Sequence, residues 1–547
     1  SWGLLISVIF LFLMCLAEWL RRKWVSRENL PFPLVEIADN LIRHDYALEF
    51  SGDALNPERR KPLFNNLALV GFLVGFVFLF FQGLGHYGFI NTPALLRFDF
   101  SENIFEPAGG PLRYFPATVF VISPIVLGIT FLLSLEVSFS IWASYILYML
   151  GTAALQTVLA NPTDSAWTGF GDGKLFPFPM EQMLGACLCF AGYHWWKVRG
   201  SGLPRSEQSL VDPYLPPTLT RWGLILLPMV IFALFWDLGL RNIPLLLFFL
   251  LFIFVITLTM ARVRAETGLP GQQAVYEFTK MPIIFGMTGM TGAKVYTVFM
   301  TVVFLPATLL FRTLPQQLEN IELARRHRIS FRSVAVAGLT AVFLALAAGS
   351  LSFLVYSYYL GGDFYGFRVL PPHDKAPSAT AVATYPLWVG HFLGEPGLDD
   401  FTTPNLHRIG AILAGFGIVG ILLYFRQKFL RFPLHPIGYV LLLLSIHYSW
   451  ADPYERIPAE SPLQSSVLWG SAFMAWLIKR LVLKYGGMQV YKEAKPLFIG
   501  LVLGAVGAVF LWNMTDLAVS LSAVRDIVPG DFMRRFLETI PFTPAFY

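Results

Sequence analysis

Charge-poor apolar runs of ~17–25 residues recur along the whole chain, each long enough as a helix to cross a hydrocarbon layer ~30 Å thick. A chain patterned this way has more apolar surface than a water-soluble core can bury, so lipid must solvate part of it. Of its 547 residues, 55% are hydrophobic and only 14% are charged, the balance of a polytopic helical membrane protein. The expected fold is all-α: one polytopic integral membrane domain over 1–547, with about twelve transmembrane helices. The candidate spans are 2–20, 65–85, 116–134, 137–158, 181–198, 222–240, 244–262, 333–356, 406–425, 436–450, 466–484 and 497–517.

No long charged run, Ser/Gly linker or soluble-sized segment separates these runs, so a second domain is not expected. The net charge of +5 comes from basic residues beside the spans, which makes the lipid bilayer the expected partner and excludes nucleic acid. Cys15, Cys187 and Cys189 all lie in apolar runs, where packing is the expected role. Their number and spacing suit neither a disulfide framework, a redox pair nor a zinc site. Segment Trp2–Leu20 lacks a basic leader and a small-residue cleavage site, and Arg21-Arg22-Lys23 follows it as a stop-transfer signal. It therefore reads as a span. Because the chain opens on Ser1 rather than Met, the numbering is consistent with a longer native chain.

Lys and Arg of short loops stay on the cytoplasmic side and orient the spans. Loop 21–64, with Arg21, Arg22, Lys23, Arg27, Arg43, Arg59, Arg60 and Lys61, is expected inside, and its stretch Leu34–Leu48 reads as an amphipathic helix. Loop 86–115 is expected outside and 197–221 inside. A single span across 278–311 would export Arg312, Arg325, Arg326, Arg328 and Arg332, so these residues are expected to dip in and return as a re-entrant or broken hairpin. Pro282, Gly286, Gly289 and Gly292 suit that break. Segments 357–405, 451–463 and 518–547 then fall outside, 426–435 and 485–496 inside, and both termini are external.

The stretch from Thr257 to Pro270 carries the most conspicuous charges. An apolar run ends there in Arg262, Arg264 and Glu266 before a Gly/Pro break. Arg262 and Glu266 are one helical turn apart and can pair, while Arg264 points to another face. Two readings stay open: snorkelling to lipid headgroups, or a lip that binds an anion or carboxylate. The corner from Glu28 to Glu36 is stiffened by Pro31 and Pro33, and Glu36 beside it is a candidate proton-coupling group. Glu136 is the second coupling candidate, because it opens a run with Ser138, Ser140 and Ser144 that can line a polar path or pack helices closely. His194, His447 and Lys479 also lie within spans, and Asp237 is expected to pair with Arg241 one turn later. No metal-ligand spacing, phosphate loop or nucleophile elbow is present, so no cofactor, metal or catalytic residue is expected.

Several phrases together resemble one family: Glu28-Asn-Leu-Pro-Phe-Pro33, Leu135-Glu-Val-Ser-Phe-Ser-Ile-Trp142, Ala261-Arg-Val-Arg-Ala-Glu-Thr-Gly-Leu-Pro270 and Phe432-Pro-Leu-His-Pro-Ile-Gly-Tyr439. Trp476-Leu-Ile-Lys479, Lys484-Tyr-Gly-Gly487 and Pro496-Leu-Phe-Ile-Gly-Leu-Val-Leu-Gly504 extend the set. The family is one of uncharacterised bacterial and archaeal multispanning proteins with paired domains of unknown function. That resemblance implies a prokaryotic cytoplasmic (inner) membrane. A shorter likeness, through Leu30–Pro33 and His435–Gly438, is to oligopeptide transporters. Two functions are therefore expected in competition. One is a secondary transporter of a small organic or peptide-like solute, with Arg262, Arg264 and Glu266 binding it and Glu136 or Glu36 coupling. The other is a non-catalytic scaffold or anchor subunit of a larger membrane complex, reached through 357–405 and 518–547.

Overall fold

A computed structural model describes residues 2–28, 30–39, 66–86, 89–90, 97–100, 104, 119–158, 178–200, 214–269, 284–286, 311–360, 404–429, 431–450 and 465–525. The described chain is all-helical apart from one short ribbon. In order it forms α1 (Trp2–Glu28), α2 (33–39), α3 (Asn66–His86), β1 (Arg97–Asp99), β2 (Val119–Val121), α4 (Pro124–Leu132) and α5 (Leu135–Val158). Then follow α6 (Pro179–Gly200), α7 (Pro217–Asp237), α8 (Ile243–Thr267), α9 (Phe311–Arg326) and α10 (Phe331–Leu360). The last are α11 (Leu406–Lys428), α12 (Pro436–Trp450), α13 (Ser465–Tyr485) and α14 (Gly487–Arg525). Among the described residues, eight helices are long and apolar enough to cross a membrane: α1, α3, α5, α7, α8, α10, α11 and α14.

The residues cluster into two compact units, Ser1–Leu30, Ala191–Ala261 and Ala274–Gly410 in one, Pro31–Phe190, Arg262–Gln273 and Ala411–Tyr547 in the other. In the first unit α1 packs on α7 and α9. Gly223 of α7 leaves room for Cys15, whose thiol would meet a Cβ there. Cys15 is buried, as a packing residue should be, and so is Cys187 of the second unit.

The same unit holds a correction. Arg21 was expected in a basic loop, but α1 runs on to Glu28 and Arg21 is fully buried. Its guanidinium forms a two-pronged bond to Glu18 (2.9 and 3.1 Å) and reaches Glu322 of α9 at 3.4 Å. Arg325 and Arg326 also bond Glu322, and Glu18 accepts the backbone N–H of Tyr214. Burial alone would raise the Glu322 carboxyl. The hydrogen bonds from Arg325 and Arg326, with the field of Arg21, outweigh that and hold it below its ordinary value. Two carboxylates among three guanidiniums let these charges leave water, which an isolated arginine could not do.

In the second unit α3 and α14 pack with their backbones in contact. A Cβ at Gly71 or Gly75 would collide with the carbonyls of Leu497 and Leu501. One at Gly500 or Gly504 would collide with those of Ala68 and Phe72. Both helices thus carry glycines four apart on the contact face, which allows close approach and dispersion contact where lipid supplies no hydrophobic drive. Gly185 of α6 and Gly415 of α11 repeat the device against Ile412 and Gln182.

The span expected over 116–134 is broken. Residues 119–121 pair with 97–99 as an antiparallel ribbon, and α4 has only 9 residues. At ~1.5 Å per residue that is ~13 Å, less than half of a hydrocarbon core. The break follows from Pro124, which starts the helix at its first position, and from the β-branched Val119 and Val121 before it. The Asp237–Arg241 pair is also absent, since α7 ends at Asp237 and Gly239 turns the chain with φ of 111°, destroying the one-turn spacing.

Of the helix expected over 34–48, residues 33–39 are helical and the rest lies outside the described residues. Apart from 284–286 and Phe311, the expected hairpin 278–311 also lies outside them. So do 361–403 of the loop 357–405, all of 451–463, and 526–547 of the C-terminal segment.

One sequence phrase recurs with one backbone shape. Phe32 and Phe178, both inside Pro-Phe-Pro, are buried, have φ of 44° and 59°, and stand immediately before a helix that begins on the second proline. Their carbonyls accept from the N–H of Glu36 and Gln182. Left-handed φ costs a non-glycine residue ~1–2 kcal/mol, which burial of each aromatic ring offsets.

Candidate functional site

The site lies within the second unit and is built from the phrases that stand out in the sequence. At the end of α8, Arg262 and Glu266 are both buried and paired at 2.5 Å across one helical turn. Arg264 is half-buried on another face. The helix stops at Gly268, whose φ of 62° and N–H bond to the Arg264 carbonyl make a left-handed cap. The Pro-Phe-Pro corner seats on this end. Phe32 donates its N–H to the Ala265 carbonyl at 3.1 Å, one of the helix-terminal acceptors that α8 itself cannot satisfy. Pro33 lies where a Cβ on Gly268 would be.

On α5, the residues Glu136, Ser140, Ser144, Tyr148 and Thr152 recur every four positions, so each neighbours the next one turn on and together they form a stripe that winds around the helix by ~40° per step. The Glu136 carboxylate, 60% exposed, pairs with Arg426 of α11 at 3.0 Å. One turn on, the Ser140 hydroxyl accepts the His435 N–H at 2.6 Å and donates to the Glu136 carbonyl. A Cβ at Gly438 would strike the Ser140 carbonyl, so α12 touches α5 through its glycine. His435 Nδ1 accepts from the Ile437 N–H and caps α12, placing the neutral ring's proton on Nε2. Burial, then the charges of Arg426 and Arg262, push His435 from 6.5 down to about 3 against the pull of Glu136. The structure thus gathers Arg262, Arg426 and Glu136 around one histidine.

Beyond that junction the α5 row opens on a half-open cavity of about 370 Å³. Ser144, Tyr148 and Thr152 line it from α5, Ala414, Ile418 and Leu422 from α11, and Gln182, Leu434 and Tyr439 from their own elements. Tyr439 donates its hydroxyl to Gln182 Oε1 at 2.7 Å. The lining offers hydroxyls, phenols and an amide on an otherwise apolar wall, and among the described residues no lining side chain is charged. On α11, Leu422 of the cavity wall and Arg426 are one turn apart, so the Arg426–Glu136 pair is a neighbour of the wall.

Glu36, the other coupling candidate, stands apart from this row and binds Lys495 of α14 at 3.1 Å. Lys495 lies 5.5 Å from the centre of the Tyr491 ring, and the Tyr491 hydroxyl takes a bond from the buried Lys479. Lys479 also bonds the carbonyls of Phe131 and Leu133 where α4 ends.

The residues that sequence reasoning passed over are Tyr148, Gln182, Tyr439 and the buried Glu181 next to Gln182. Two signals were available: the four-residue row on α5, and the second Pro-Phe-Pro just before Glu181. The profile of a family of unknown function (DUF6785) matches residues 1–527, and the chain belongs to that family. No curated protein matches it.

Proposed function

We propose that this member of the family is an integral membrane transporter of a small organic or peptide-like solute, working by alternating access through the second unit. The observation that carries the reading is the α5 row, which leads from an exposed ion pair past a neutral histidine into a cavity with hydrogen-bonding walls. A cavity of this size with few convergent polar groups suits a small ligand. Its hydrogen-bonding groups on an apolar wall suit a small organic or peptide-like solute. The broken element β2–α4 also fits a transporter, a class in which interrupted helices are common.

The chain then makes about twelve crossings, with 116–134 as a broken one and 278–311 as a hairpin. Both termini are external in a prokaryotic cytoplasmic membrane, as the loop charges and the family resemblance imply. Glu136–Arg426 closes the cytoplasmic end, Arg262–Glu266 holds the end of α8, and Arg264 meets any carboxylate at the lip. Coupling falls to Glu136 or Glu36, and no residue has a catalytic role. The short likeness to oligopeptide transporters places dipeptides among the solutes to test.

Uptake into liposomes carrying the purified protein decides it, with neutral organic solutes and dipeptides as probes. Tyr439→Phe and Gln182→Leu should raise the apparent KM several-fold, as the loss of ~1 kcal/mol per hydrogen bond requires. Glu136→Gln should lower the maximal rate. Arg264→Ala should affect only solutes with a carboxylate. If no solute moves, or the cavity variants match wild type, the proposal fails.

A second reading, a scaffold or anchor subunit, is favoured by α10, on which Val336, Phe343, Leu344 and Leu351 are each more than half exposed. It requires stoichiometric partners to co-purify in mild detergent.

A further inference from the structure

The end of α4 holds a cation supplied by the protein itself. Lys479 is buried to 6% exposure, and its Nζ bonds the carbonyl oxygens of Phe131 (3.1 Å) and Leu133 and the hydroxyl of Tyr491 (3.0 Å). The same Nζ lies 4.4 Å from the centre of the Tyr491 ring. Phe131 and Leu133 end a helix whose last carbonyls lack helical donors, and such an end carries negative partial charge. Three oxygens converging at a helix C-terminus form a cage that a small monovalent cation can also occupy.

We propose that this cage is a monovalent-cation site in which the Lys479 ammonium is the resident cation, exchangeable through loss of its proton. With the proton on, the ammonium holds α4, α13 and α14 together. Once the proton passes to water, the neutral amine no longer matches the carbonyl dipoles. Sodium or potassium, completed by water, then takes its place. Charged neighbours surround the cage. From α14, Lys495 lies over the Tyr491 ring and bonds Glu36 of α2. On α13 itself Arg480 stacks on Trp476 and Lys484 lies over Tyr485. From α5, Glu136 is held by Arg426, and α4 carries no titratable side chain. The Glu36–Lys495 pair is therefore the charge pair joined to the cage through Tyr491. The inference does not depend on transport, because occupancy is read without a solute.

The test is the thermal midpoint of the purified full-length protein in equal concentrations of choline, sodium and potassium chloride. At neutral pH wild type should be indifferent to the cation. Lys479→Met should lose stability in choline and recover it saturably in sodium or potassium. Equal midpoints for Lys479→Met in all three salts would overturn the site. Should that variant not survive purification, wild type decides at alkaline pH. Above the ordinary lysine value of ~10.4, sodium should stabilise it over choline, and Tyr491→Phe should raise the half-saturating sodium concentration several-fold. An alkaline midpoint the same in sodium and choline would overturn the proposal equally.

Discussion

The backbone N–H of Phe32 donates to the carbonyl of Ala265, joining a proline-stiffened corner near the start of the chain to the end of α8. The bond places the left-handed Phe32 and the left-handed Gly268 against each other. It ties the Arg262–Glu266 turn to α2, which carries Glu36.

Gly268→Ala should therefore destabilise the protein by more than a helix-end substitution normally does. Its φ of 62° alone costs alanine ~1–2 kcal/mol. The new methyl would also press on the Pro33 ring at 2.8 Å. Detergent thermal unfolding should show a loss, with Phe32→Ala worse at ~3–5 kcal/mol for a buried aromatic. Wild-type stability in Gly268→Ala would mean that the corner does not seat there.

Arg262 and Glu266 should behave as a unit. Removing either side chain strands a buried charge, for which ~3–5 kcal/mol is the usual cost. The double variant Arg262→Met/Glu266→Met should lose less than either single one. A double-mutant cycle on unfolding midpoints measures the coupling, and simple additivity would show that the pair is only superficial.

His435 gives the fold an acid-sensitive window. Its folded value of about 3 lies below the ordinary 6.5, so between these values the unfolded chain binds a proton that the folded protein refuses. Stability from this group is present above 6.5 and is lost as the pH falls from there towards 3. His435→Asn keeps an acceptor for the Ile437 N–H without titrating. It should unfold with a flatter pH dependence across that range, and identical profiles would rule out the histidine as the source.

The α3–α14 contact should discriminate sharply among glycines. Gly500→Leu and Gly71→Val force side chains into partner carbonyls and should cost at least ~1–3 kcal/mol. At Gly507 an added Cβ meets the nearest rings at 3.7 and 3.8 Å, an ordinary contact. Gly507→Ala should be neutral, or gain up to ~1 kcal/mol from helix propensity. Equal losses at all three positions would mean that the helices are not in backbone contact.

Part of the site is legible in the amino-acid sequence. Arg262 and Glu266 pair because four residues make one helical turn, and the spacing of Glu136, Ser140 and Ser144 has the same origin. His435 was visible as a histidine before a proline, but nothing in that phrase says that it meets Ser140. Tyr439 and Gln182, 257 positions apart, bond through two helices whose faces no single-chain pattern specifies. Arg21 misled for a related reason: three basic residues after an apolar run read as a loop, whereas its burial rests on Glu18 one turn before it together with the distant Glu322.

By itself the amino-acid sequence determined the helices, because apolar length, proline and glycine act within a few residues. It also determined which side chains share a helical face. Which faces meet was decided by the tertiary structure alone. Close glycine contacts, the histidine's neutrality and the lysine's cage all depend on groups far apart in the chain. Their energies come from desolvation and fit, and these exist only once the helices have packed.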